Sequence, residues 1–202
     1  MKVLLHCCCA PCSVKCIAAL REEGIEIVLF WYNPNIHPFT EYKSRRDALF
    51  QYAASLGLEL IGRDEYGLRA FTARLYRGTD GEDGPGTGDP EDGPGAEDPA
   101  EFGKRCGPCY RMRLERTART AREGGFDAFS TTLLVSPYQN HELLRESAEA
   151  SAAREGAPFL YRDFRPRFRE GRAEARRLGL YMQKYCGCIF SEEERYRRPG
   201  AP

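Results

Sequence analysis

Nine cysteines stand at positions 7, 8, 9, 12, 16, 106, 109, 186 and 188, and their grouping is the feature of the sequence best suited to chemistry. The first group reads His6-Cys7-Cys8-Cys9-Ala10-Pro11-Cys12, in which Cys9 and Cys12 form a CxxC pair with Cys8 beside them. Cys106-Gly107-Pro108-Cys109 is a second CxxC at the opening of a predicted helix, and Cys186-Gly187-Cys188 is a CxC in a turn. Thiolates at helix N-termini are favoured by the helix dipole, which lowers their pKa and so favours the ligating form. Pro11 and Pro108 constrain φ while Gly107 and Gly187 relieve crowding, so each loop can wrap a compact centre. Four thiolates satisfy a 4Fe–4S cluster or a structural zinc. The seven cysteines of these loops, Cys8, Cys9, Cys12, Cys106, Cys109, Cys186 and Cys188, exceed the need of either. That excess implies two metal centres, or one centre with additional catalytic thiols.

Other readings of the cysteines are weaker. An odd count argues against a disulfide framework. A closed four-cysteine zinc site would leave three thiols idle. Cys106–Cys109 matches the thioredoxin tetrapeptide Cys-Gly-Pro-Cys. That motif, however, follows an early long strand and usually an aromatic, whereas Lys104-Arg105 precede it here. Cys7 and Cys16 are read as non-ligands, Cys16 being a buried small apolar residue one helical turn past Cys12.

The elements that must position these loops follow from periodicity and punctuation. Val3–His6 reads as a buried strand running into the first cysteine loop, and Ser13–Glu23 has helical spacing ended by Gly24. Ile25–Tyr32 is a β-branched and aromatic run, broken after it by Asn33-Pro34-Asn35. Thr40 is a candidate cap for a helix through Ser55, with Tyr42, Leu49, Tyr52 and Ala53 inward, and Leu58–Ile61 is a third strand. After a break, the pattern predicts a helix from Cys106 to Glu123, a strand at Phe126–Thr131, a helix from Tyr138 to Arg154, a strand at Phe159–Tyr161 and an Arg-rich helix over 167–178. Alternating strands and helices point to an α/β fold with a mostly parallel sheet flanked by helices. Sites in such folds form at the carboxyl ends of strands. The first cysteine loop, Thr131-Thr132 and Asp163 all follow strands.

A chain of 202 residues suits a single catalytic domain, residues 1–202, with one interruption. Residues 78–103 are mostly Gly, Pro, Asp and Glu and are expected to be a disordered acidic insertion. Nine acids and no Lys or Arg fall within 79–101, so the rest of the chain carries 30 basic residues against 21 acidic ones. A basic surplus of that kind permits a polyanionic partner. Arg111, Arg113, Arg116, Arg119 and Arg122 on the predicted helix after Cys109, with the Arg162–Arg177 stretch, are the candidate phosphate contacts. No apolar run approaches the roughly 20 residues of a membrane span, and Met1-Lys2-Val3-Leu4-Leu5 is too brief for a secretory signal. The expected location is the cytoplasm, with no membrane partner.

Several blocks resemble the QueH family of epoxyqueuosine reductases: His6-x-Cys8-Cys9-Ala10-Pro11-Cys12, Asn33-Pro34-Asn35-Ile36-His37-Pro38 with Glu41-Tyr42 and Arg45, and Arg105-Cys106-x-x-Cys109-Tyr110 with Arg113-Leu114. Ser130-Thr131-Thr132-Leu133, Ser136-Pro137-Tyr138, Asp163-Phe164-Arg165 and Tyr181-x-Gln183-x-Tyr185-Cys186-Gly187-Cys188 continue the match. The resemblance implies reduction of the epoxide of epoxyqueuosine to queuosine at the tRNA wobble position, with electrons from an unidentified donor. It also implies a 4Fe–4S cluster beside a mononuclear iron held by cysteines and an aspartate, on a fold resembling the adenine-nucleotide α-hydrolase (HUP-like) type. ATP use is not expected, because His6–Cys12 occupies the place of the phosphate-binding loop. Asp163 is the expected aspartate ligand, with Asp127 as the other candidate; pairing of Asp163 with Arg165 is the structural alternative. A provisional division assigns Cys9, Cys12, Cys106 and Cys109 to the cluster and Cys8, Cys186 and Cys188 to the iron. His6, His37, Tyr110 and Tyr185 are the candidate proton donors. The rival reading from another class is a non-catalytic metal-binding adaptor for tRNA, holding zinc or an iron–sulfur centre.

Overall fold

The structure, a computed structural model, describes residues 1–62, 64–77 and 104–197. The acidic insertion expected at 78–103 lies outside the described residues. Four parallel strands, β1 (Lys2–His6), β2 (Glu26–Trp31), β3 (Leu60–Gly62) and β4 (Ala128–Thr131), form one sheet in the order β3-β2-β1-β4. Around them stand α1 (Ala10–Glu22), α2 (Phe39–Ser55), α3 (Leu68–Arg77), α4 (Cys106–Glu123), α5 (His141–Glu155), α6 (Phe168–Arg177) and α7 (Ile189–Tyr196). Helix α4 packs on α5, and α1 packs on α6. The α/β class and the parallel sheet expected from the sequence are present, consistent with a HUP-like fold.

The central strands are apolar almost throughout because helices cover both faces of a parallel sheet. Val3, Leu4 and Leu5 of β1 are wholly buried, as are Leu29 and Trp31 of β2. The register sets His6 beside Phe30 on one side and Thr131 on the other. All three strands therefore end at one level, and the first cysteine loop emerges between the segments that follow β2 and β4. Asn33, just past β2, pins that loop by donating from Nδ2 to the Cys7 carbonyl at 2.9 Å. Thr132, just past β4, accepts the Cys8 backbone N–H at 3.2 Å.

The structure corrects several boundaries. Phe159–Tyr161 is not a strand: it makes one parallel bridge, Phe159 to Phe129, beside β4. Its pairing stops because Tyr161 packs its ring on His141 and Arg162 turns away to pair with Glu23. Helix α2 starts at Phe39 with Pro38 in the capping position, so Thr40 lies inside it. Helix α5 starts at His141, where the Asn140 side chain accepts the Leu143 N–H at 3.1 Å; Tyr138 remains in the preceding turn. Helices α3 and α7 are additions that the sequence pattern did not suggest.

Candidate metal centre

The loop leaving β1 turns directly into α1, and this turn gathers three thiols. The sulfurs of Cys8, Cys9 and Cys12 lie within 4.8 Å of one another, with Cys8 and Cys9 at 3.7 Å. Gln183 reaches over them, donating from Nε2 to Cys9 Sγ at 3.0 Å and to Cys12 Sγ at 3.4 Å. Thr132 Oγ1 stands 3.6 Å from Cys8 Sγ. Hydrogen bonds with the Cys12 and Cys9 thiols hold the Cys8 thiol well below its usual range. Burial raises Cys9, and the bond to Cys8 raises Cys12. A compact triad of adjoining sulfurs, with amide and hydroxyl donors around it, suits a thiophilic metal ion.

The other four ligating candidates lie farther apart, in no close group of ligand atoms among the described residues. Cys106 and Cys109 on the first turn of α4 are in electrostatic reach of Cys186 and Cys188. Cys109 and Cys188 pack with Phe71 and Met112. Cys188 caps α7 by accepting the Ser191 N–H at its sulfur. Burial pushes the Cys109 thiol up to about 12. Cys186 is the one cysteine of the nine classed as exposed, and Gln139 donates from Nε2 to its sulfur at 3.4 Å. None of the nine forms a disulfide. Cys8, which the provisional division set apart from Cys9 and Cys12, lies with them in the only group of three or more metal-ligating side chains among the described residues.

Two buried arginines stand beside these cysteines. Arg113, 2 % exposed, donates from its guanidinium to Cys109 Sγ and from Nε to the Cys109 carbonyl, both at 3.1 Å. It has no carboxylate partner among the described residues and feels the charge of both Cys186 and Cys8. A buried guanidinium without a carboxylate requires another anion nearby. Metal-bound thiolates supply one, so this donor set fits an anionic metal–sulfur centre. Arg45, 1 % exposed, pairs with Glu41 at 2.7 Å and donates to the carbonyls of Cys186 (2.8 Å) and Tyr185 (3.0 Å). The Cys186–Cys188 turn is therefore anchored by a side chain from α2 and by the His37 N–H bound to the Gly187 carbonyl at 2.7 Å. Gly187 has φ 141°, and a Cβ there would meet Arg45 and Ile36 at 3.2 Å, so only glycine lets this turn lie so close.

The structure commits the remaining candidates to definite partners. His6 is fully buried, its Nδ1 2.9 Å from Thr131 Oγ1 and its Nε2 3.2 Å from the Tyr32 carbonyl, and burial lowers its pKa to about 4. Tyr185 donates its hydroxyl to the His37 carbonyl at 2.6 Å. Tyr110 donates to Gln139 Oε1 at 2.7 Å. His37 is buried with both ring nitrogens unpartnered. Asp163 accepts three hydrogen bonds from Arg165, whose guanidinium holds the carboxyl down at about 2, and it belongs to no group of metal-ligating side chains among the described residues. Asp127 sits at the amino end of β4, accepting the Lys2 N–H, at the opposite end of the sheet from the cysteines. Cys7 and Cys16 are buried and stand outside the close group of Cys8, Cys9 and Cys12, Cys7 donating to the Leu5 carbonyl.

Many of the arginines expected to face a polyanion also have partners within the chain, most of them in exposed ion pairs. Arg113 belongs to the cysteine site, Arg119 and Arg122 pair with Glu155, and Arg116 lies over the Tyr32 ring. Arg162, Arg165, Arg167 and Arg177 pair with Glu23, Asp163, Glu22 and Glu174. Among the described residues no helix is long and apolar enough to cross a membrane. Gln139, Gln183 and Thr132, which touch the sulfurs, were not singled out as ligand-supporting residues. Their amides and hydroxyls carry no spacing signature, although Gln183 and Thr132 lie within the motif blocks.

Comparison with known proteins shows the family. The chain matches the family described as Epoxyqueuosine reductase QueH over residues 3–87 and 91–194. It is 37 % identical over 201 residues to a protein of Dehalococcoides mccartyi named Epoxyqueuosine reductase QueH, covering 100 % of this chain and 98 % of that one. A Thermotoga maritima protein of the same name is 34 % identical over 195 residues, covering 96 % and 91 %. One of Acinetobacter baylyi is 34 % identical over 194 residues, covering 94 % and 80 %. With the cysteine segments and their supporting side chains in place across that whole span, the chain belongs to the QueH family of epoxyqueuosine reductases.

Proposed function

We propose that this protein reduces epoxyqueuosine in tRNA to queuosine, and that its seven loop cysteines hold the iron that makes this possible. The overall change breaks both C–O bonds of the epoxide, forms a C=C bond and releases the oxygen as water, consuming two electrons and two protons. Protein side chains do not deliver single electrons at low potential. A bound iron–sulfur cluster and an adjacent iron supply that electron transfer and a Lewis acid for the departing oxygen.

The observation that carries this reading is the gathering of Cys8, Cys9 and Cys12 within 4.8 Å of one another, with the buried Arg113 in electrostatic reach of Cys8, Cys109 and Cys186. Four thiolates are what a 4Fe–4S cluster requires, so we assign Cys106, Cys109, Cys186 and Cys188 to the cluster. Cys8, Cys9 and Cys12 then hold the single iron, three protein ligands leaving it open to substrate. Gln183, Gln139 and Thr132 orient the sulfurs, and Arg113 balances their charge. Asp163 joins the ligands only by giving up its pair with Arg165. His6 and Tyr185 remain proposed proton donors, and each must first release its present hydrogen bond.

Anaerobically purified protein should contain iron and sulfide, absorb at the visible–UV boundary, bleach with dithionite and convert epoxyqueuosine in tRNA. Replacing each of the seven cysteines by Ser should lower iron content and activity together; Asp163→Asn does so only if that carboxylate is a ligand. A colourless zinc protein, or several of the seven Ser variants with full iron and activity, would overturn the assignment.

A further inference from the structure

The proposed reaction requires one nucleotide of an RNA loop to reach the open position of the metal, and an exposed tyrosine packed on a half-buried phenylalanine stands near the cysteine site. Tyr138 is 80 % exposed, more than any other large hydrophobic residue among those described. Its ring meets Phe168 edge-on, centroids 5.7 Å apart at 81°, which leaves a ring face open. An aromatic so exposed gains little by burial in its own fold. It is nevertheless held firmly: its N–H is bound to Ser136 Oγ at 3.3 Å, and the next residue, Gln139, is tied to Tyr110 and to the exposed thiol of Cys186.

Phe168 carries the platform toward the triad. It lines a shallow cleft between α1 and α6 with Pro11, Cys12, Val135 and Gln183. Gln183 spends its amide nitrogen on Cys9 and Cys12, while its Oε1 is buried without a partner, an acceptor left over for a ligand hydroxyl or N–H. Arg172 lines the same cleft with its guanidinium 5.8 Å from the Phe168 ring and no carboxylate partner among the described residues. An open aromatic face, a cation beside it and an unpartnered acceptor are the features that receive an unstacked base and its phosphate.

We infer that Tyr138, with the Phe168 ring set edge-on against it, forms the stacking platform that receives an unstacked anticodon-loop base beside the cysteine site. This rests on the proposed action on tRNA. Stacking on such a platform contributes roughly a five- to hundredfold change in affinity per base.

The test uses the iron-loaded protein and a tRNA anticodon stem–loop carrying 2-aminopurine, whose fluorescence falls when it stacks. Tyr138→Ala and Phe168→Ala should each raise KM for epoxyqueuosine-containing tRNA roughly tenfold or more and abolish the fluorescence change, with iron content unaltered. Tyr138→Trp should restore both, an outcome that a purely structural role would not give. Because Tyr138 is almost fully exposed, its loss does not threaten folding. If the wild-type protein turns over tRNA while Tyr138→Ala and Phe168→Ala keep the wild-type KM and quenching, the platform is refuted and the activity stands. If the wild-type protein neither binds the stem–loop nor reduces the tRNA, both are overturned.

Discussion

Replacing Arg113 by Met should harm the metal-loaded protein and spare the metal-free one. With Cys109 ligating as proposed, it is a thiolate in the loaded protein, 3.1 Å from a guanidinium nitrogen. At an effective dielectric constant of about 20, a pair of unit charges at that separation interacts by about 5 kcal/mol. Removing one partner of a buried pair costs about 3–5 kcal/mol, in the same range. In the metal-free protein at neutral pH the balance reverses. Burial keeps Cys109 protonated, its pKa pushed up to about 12, so Arg113 is then a buried cation facing a neutral thiol and a carbonyl. Met fills similar space without that charge, and the metal-free variant should unfold at the same denaturant concentration as wild type or a higher one. The difference between the two effects must reappear as weakened metal binding, about two to four decades in a chelator competition, since 1.36 kcal/mol is one decade. Anaerobic denaturation of loaded and stripped protein, with the chelator titration closing the cycle, measures each leg. Equal destabilisation of both forms would refute the reasoning, because Arg113 would then be holding only the fold.

Three further substitutions probe the supports of the site. Gln183→Leu removes both amide donors to Cys9 and Cys12, and metal should be lost to a chelator about 10- to 100-fold more readily, with folding of the stripped protein little changed. Arg45→Met cuts the ties to Glu41 and to the Tyr185 and Cys186 carbonyls; limited proteolysis after Lys184 should accelerate and stability fall by about 3–5 kcal/mol. Cys7→Ala and Cys16→Ala, in contrast, should keep their full iron content and cost only about 1 kcal/mol in urea denaturation; loss of iron in either would enlarge the ligand set.

What the sequence made legible follows from the range over which each signal acts. The four strands were readable because apolar runs of β-branched and aromatic residues are local, and so were α1 and α4, whose Gly24 and Gly124 close them. The triad was half legible: the spacing of Cys8, Cys9 and Cys12 reveals their shared loop but not which sulfurs join which centre. That division depends on where α4 and the 181–188 segment come to rest, which only the folded chain determines. The partners of the α4 arginines were hidden for the same reason. Their spacing announces a charged helix, yet Arg113 turns inward to Cys109, while Arg119 and Arg122 meet Glu155 from α5. Helix α7 was missed because its short SerGluGluGluArg run has no apolar stripe, and its cap is a cysteine rather than Ser, Thr, Asp or Asn.

The Arg45 anchor has a bearing on biosynthesis. It joins residues 141 positions apart, and the proposed four-thiol ligand set cannot be complete before Cys188 has cleared the ribosome exit. The sulfurs of Cys8, Cys9 and Cys12 emerge long before, exposed to oxidants and to stray zinc while translation continues. A cell making this protein has reason to deliver iron after chain release, under reducing conditions, and ribosome-bound chains halted before Cys186 should carry none in the four-thiol set.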